Sequence, residues 1–143
     1  MADLPFEFPR DLAFESPEND KDAIEMLNRN KRALLLLTEN DCMRCQELLL
    51  GIEESYALRQ NIHELMNRYG IAGIFINSKK EGKFRDVAVF VYKTEEIKGL
   101  PVTILSHDGK EVNRLYGSFS VKGYSSDDID LLERKISDSF KLI

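Results

Sequence analysis

The chain has 143 residues, 43% hydrophobic and 31% charged, the size and make-up of one soluble globular domain around one core. Its net charge of -5, with no concentrated basic patch, excludes nucleic acid and an anionic membrane surface as partners. Apolar runs such as Ala33 to Leu37 and Val87 to Tyr92 fall far short of the roughly 20 residues a membrane helix needs, and the N-terminus has acids and prolines where a secretory signal needs an apolar stretch. The expected location is the cytoplasm, or an exported compartment if a leader has been removed.

Residues 1–15, with Pro5, Pro9 and alternating Phe6 and Phe8, read as an extended arm or edge strand leading into a domain over residues 16–143. The Phe6 and Phe8 rings are expected to cover a core edge. Ser16, Pro17 and Glu18 form a helix-start signal, and Ala23, Ile24 and Leu27 give an apolar stripe, so a helix is expected from Pro17 to about Asn28. The run Ala33 to Leu37 has no alternation and suits a central strand covered on both faces, ended by Thr38, Glu39, Asn40 and Asp41. Met43 to Leu50 is helical in composition and Gly51 invites a break or bend. Ser55 can cap a second stretch to about Tyr69, with Gly70 as its stop. Ile71 to Asn77 is a strand by its β-branched content.

Phe84 to Glu96 fits a strand by propensity and a buried helix by its place between two strands; we read it as helix. Pro101 to Leu105, the Asp108-Gly109 turn and Glu111 to Tyr116 form a hairpin. Ser125 and Ser126 can cap a last helix with Ile129, Leu132, Ile136 and Phe140 on one face. A right-handed strand-helix-strand unit followed by a hairpin and a covering helix gives an α/β fold, a mixed central β-sheet sandwiched between helices.

The chain has two cysteines, too few for a disulfide scaffold, and their spacing carries the chemistry. Cys42 and Cys45, three apart at a helix start, have Cα atoms about 5 to 6 Å apart, a span that a disulfide bridges without moving the backbone. At the helix tip Cys42 meets unpaired backbone N–H groups and the positive end of the dipole, so it is the sulfur expected to attack as thiolate; Cys45, one turn in, resolves. Arg44 favours the thiolate, while Asp41 and Glu39 oppose it, which leaves the direction of exchange open. Two thiolates at this spacing can also form half of a zinc site, which needs two more ligands. His63 and His107 stand in no ligand spacing, although a subunit interface could supply a second pair of thiolates. A third reading is a pair of unreactive core cysteines.

With these residues in view, the chain resembles the thioredoxin superfamily over about residues 17 to 140. The match rests on ALLLL running into TENDCMRC, on EEIKGLPVTIL with Pro101 at the place of the family's cis-proline, and on the hairpin DGKEVNRLYG with its terminal helix. The long stretch between motif and proline is similar to the subgroup with extended second helices. The resemblance implies a nucleophilic Cys42, a resolving Cys45, and a cis-Pro101 packed against them, with Leu100 offering backbone hydrogen bonds to a substrate strand and Met43 and Arg44 at the groove.

Two departures qualify what the resemblance implies. Asp41 stands where the family has an aromatic residue, which makes the groove more acidic, and Leu36 stands where thioredoxins have a buried acid that assists the resolving cysteine. Resolution would then use water or a base such as Glu39.

The expected function is thiol-disulfide exchange on disulfide-containing protein substrates, with a separate reductase or redox partner resetting the pair and no cofactor or metal, in a monomer. The rivals are an interaction module of the same fold with little turnover and a CxxC metal-binding domain. His63 is expected on a helix surface, and Ser106-His107-Asp108 as turn chemistry rather than a catalytic triad.

Overall fold

The computed structural model describes residues 8–39, 42–78, 101–117 and 129–140. A 3-10 turn, Arg10–Leu12, is followed by α1 (Asp20–Arg29), β1 (Arg32–Glu39), α2 (Met43–Glu54), α3 (Tyr56–Tyr69), β2 (Ala72–Ser78), β3 (Val102–His107), β4 (Lys110–Tyr116) and α4 (Asp130–Ser139). The four strands form one mixed sheet in the order β2-β1-β3-β4. β1 runs parallel to β2 and antiparallel to β3, and β3 pairs antiparallel with β4. The α/β architecture expected from the sequence is thus present.

β1 is buried from Ala33 through Thr38, as its unbroken apolar run requires of a strand covered on both faces. Leu35 and Leu37 join Ile74, Ile76, Val102 and Ile104 in a core closed by Ala23 and Leu27 of α1. Leu34 and Leu36 point the other way and join Phe75, Leu105 and Leu115 beneath α2, α3 and α4. Helices therefore cover both sheet faces, and the Ile129, Leu132, Ile136, Phe140 face of the last helix is buried as its spacing predicts.

Several boundaries differ from those expected. α1 begins at Asp20 rather than Pro17, because the Asn19 side chain accepts the Asp22 N–H at 2.9 Å and so takes the N-cap in place of the Ser16-Pro17 pair. β1 extends through Thr38 to Glu39: the Thr38 hydroxyl is held at 3.2 Å from the Ile76 carbonyl and 3.0 Å from Asn77 Oδ1, so a turn-forming residue becomes part of the ladder. Gly51 neither breaks nor ends α2, which continues to Glu54. The break falls at Ser55, whose Oγ caps α3 by accepting from Leu58 N at 3.1 Å. Gly70 in the left-handed region ends α3.

The N-terminal arm is not extended throughout. After the 3-10 turn, Glu15 bridges to Ile74 on the outer edge of β2. Phe8 stacks on Phe14 and tilts against Phe75, so its ring does cover a core edge. Phe6, the 84–96 segment, and Ser125 and Ser126 lie outside the described residues. The hairpin turn is as read: Asp108 at φ 51° and Gly109 at φ 81° give the two positive angles of a tight connection, with a register shift between Leu105 and Ser106.

Candidate functional site

The site forms where the central strand ends. Glu39, the last residue of β1, accepts the Cys42 N–H at 3.3 Å, and Cys42 is the N-cap of α2 with extended backbone, φ -96° and ψ 109°. Its Sγ accepts the backbone N–H of Cys45 at 3.1 Å, so the sulfur takes the place that a serine or aspartate oxygen takes in other caps. Cys42 and Cys45 are joined in a disulfide with Cα atoms 5.2 Å apart, inside the span expected from their spacing.

The two sulfurs differ in access. Cys42 is half-buried at the tip, whereas Cys45 has 0% exposure and lies one turn before Leu48 and Leu49, which are buried in the α2-side core. Met43 is 75% exposed and Arg44 is exposed, so the two middle residues face solvent at the mouth of the pair. Glu39 is half-buried at the base of the loop. Asp41 and Leu100 lie outside the described residues.

Pro101 is buried at the head of β3, and its carbonyl accepts the Gly117 N–H at 2.8 Å. Val102 next to it pairs with Leu37, two residues before the end of β1. The sheet therefore brings the proline to the edge from which the cysteine loop springs, although 59 positions separate Cys42 and Pro101 in the sequence. Leu36, at the place of the family's acid, is fully buried on the face that α2 covers.

Other candidates stand apart. His63 is exposed on α3 with its Nε2 at 3.1 Å from the Asn67 side-chain nitrogen. His107 Nε2 comes within 3.5 Å of Asp108 Oδ2, closer than turn geometry suggested, but the Ser106 hydroxyl is buried with no partner, so the three form no relay. Among the described residues no group of three or more His, Cys, Asp or Glu could hold a metal ion, and no helix is long and apolar enough to cross a membrane.

Sequence reasoning took Thr38 for a turn residue and passed over Thr103. Both are buried on strands. Thr103 stands between Val102 and Ile104, a pattern ordinary in strands, and Thr38 follows an unbroken apolar run as a turn residue would, so neither is marked by its neighbours.

No curated protein sequence matches the chain. Solved structures do. Thioredoxin O2 from Arabidopsis thaliana, in its oxidized state, matches with a TM-score of 0.59 at 14% identity, over 94% of this chain and 100% of that one. Oxidized mitochondrial thioredoxin 3 from Saccharomyces cerevisiae matches with a TM-score of 0.58 at 13% identity, over 91% and 99%. A thioredoxin variant from Halobacterium salinarum matches with a TM-score of 0.57 at 16% identity, over 90% and 91%. At these identities the likeness is one of fold. The sequence model of the thioredoxin-like domain matches residues 19–125, which span α1, the cysteine pair, Pro101 and the hairpin. By that match, on a sheet of this order with a CxxC pair at disulfide distance, the chain belongs to the thioredoxin-like domain family.

Proposed function

We propose that this protein exchanges its Cys42–Cys45 disulfide with protein substrates, Cys42 being the sulfur that substrates meet. The observation that carries the reading is the asymmetry of the pair: a reachable Cys42 at a helix cap above a sealed Cys45. In the reducing direction, the Cys42 thiolate attacks a substrate disulfide, forming one S–S bond and releasing one substrate thiolate, which takes a proton. Cys45, having lost its proton, then attacks Cys42 Sγ. The second substrate sulfur leaves as thiolate and is protonated, and both electrons have passed to the substrate. A separate reductase or dithiol partner resets the pair, and the opposite direction uses the same steps in reverse. Pro101, with Leu100, would present backbone to the substrate strand.

The buried Leu36 favours a second reading, a thioredoxin-fold interaction module that forms a partner disulfide but turns over slowly, because it supplies no acid to move the Cys45 proton. Insulin reduction under dithiothreitol separates the two. An exchange enzyme accelerates precipitation and loses the effect in Cys42→Ser, whereas equal rates with and without the wild-type protein would leave the interaction module. Metal content of protein purified with its thiols reduced tests the remaining rival, since a stoichiometric metal would displace both readings.

A further inference from the structure

Thr103 is 1% exposed, and its hydroxyl has no hydrogen-bond partner. Its neighbours on β3, Val102 and Ile104, belong to the α1-side core, so strand alternation turns Thr103 to the face under α2. Its cross-strand partners, Leu36 on β1 and Leu115 on β4, both belong to the α2-side core, which agrees. It lies two residues beyond Pro101, at the end of the sheet where the cysteine loop begins. Cys45, with no exposed surface, stands three and four residues before Leu48 and Leu49 on the side of α2 that meets this face.

A buried hydroxyl pays its full desolvation cost when nothing bonds to it. In the disulfide state neither sulfur carries a proton or a full charge, and a disulfide sulfur is a poor acceptor. Reduction changes this. Two electrons from a dithiol, or from two monothiols, together with two protons, break the S–S bond and leave two thiols. Cys45 then carries an S–H that can donate to a hydroxyl oxygen, which the disulfide cannot do, and a sulfur that can accept from one.

We propose that the Thr103 hydroxyl is the hydrogen-bond partner of Cys45 in the dithiol state, directly or through one water, and so acts as a positioning residue for the resolving thiol. This rests on the exchange reading above. The hydroxyl is left unbonded in the disulfide form and bonded in the dithiol form, so it stabilises reduced protein and makes the pair a stronger oxidant. It lies across the sheet from Leu36, a side chain that supplies no acid.

The test is equilibration with reduced and oxidised glutathione, read by quantifying protein thiols, for the full chain and its variants. Thr103→Val keeps the shape and removes the hydroxyl. It should shift the equilibrium constant roughly tenfold toward the disulfide, about 30 mV more negative for a two-electron couple. Thr103→Ser should restore the wild-type constant. Ser106→Ala removes an equally buried and unpartnered hydroxyl on the α1 face, opposite Ala33, and should leave the constant unchanged. If valine is not accommodated, Thr103→Ala read in the same way carries the test. A constant for Thr103→Val within twofold of wild type, or an equal shift in Ser106→Ala, overturns the proposal while leaving the exchange reading intact. Failure of the wild-type protein itself to equilibrate with glutathione overturns both.

Discussion

Each sulfur of the pair has its own surroundings, and the difference decides which one a partner can touch. Cys42 accepts an N–H at the mouth of α2, while Cys45 is fully buried one turn in. On the exchange reading, a substrate disulfide approaching from solvent meets the first. In Cys45→Ser the mixed disulfide on Cys42 has no internal thiol to release it, so a covalent adduct should accumulate, visible as a mass increase that dithiothreitol removes. In Cys42→Ser adduct formation should fall by at least about tenfold, because the remaining thiol is buried and unreactive in exchange. Equal trapping by the two variants would reverse the assignment of roles. At this scale the sequence was informative where chemistry follows from spacing alone: three residues at a helix start set the Cα separation. It was silent on Thr103, because the isolation of that hydroxyl depends on Leu36 and Leu115, which lie far from it in the chain and meet it only through the register of three strands.

Among the elements, the joint between α2 and α3 shows how local signals compete. Glycine inside a helix costs up to about 1 kcal/mol relative to alanine, too little to end α2 when Leu48, Leu49 and Ile52 bury their side chains around it. Ser55 ends the helix instead, since its side chain can satisfy the start of α3. Arg59 then reaches back across the joint: its Nη1 donates to the carbonyls of Ile52, at 3.0 Å, and Glu53, and its Nε to Asp11 at 2.8 Å. The last carbonyls of α2 are thereby satisfied from the next helix. Ser55→Ala should cost about 1 kcal/mol in urea unfolding. Arg59→Ala should cost about 1–3 kcal/mol, because it leaves carbonyls without a donor. A double variant no worse than Arg59→Ala would show that the two act on one joint. The same competition explains α1, where Asn19 outbids Ser16, and β1, where Thr38 stays in the ladder because Asn77 lies opposite. The hairpin was legible because Asp-Gly has few other uses, and α3 because its cap and stop residues agree.

Across the whole molecule, β1 holds the parts together. It is hydrogen-bonded on both edges and covered on both faces. Amide exchange should be slowest there, near the global unfolding limit from Ala33 to Leu37, and faster along β4 at the end of the sheet order. Leu35→Ala, which empties a fully buried position, should cost about 2–5 kcal/mol. Exchange in β1 as fast as in β4 would contradict this ranking of the strands. The layered plan could be read from the order of apolar runs and helical stripes. The sheet order could not, because it depends on which strands meet after the chain has crossed over.

The outward aim of Met43 and Arg44 bears on how such a protein can diversify. Neither side chain is buried in the hydrophobic cores, so the middle of the tetrapeptide works like a replaceable cartridge on a fixed mount. On the exchange reading, new pairs of residues there should change the reduction potential while the unfolding midpoint stays where the rest of the domain sets it.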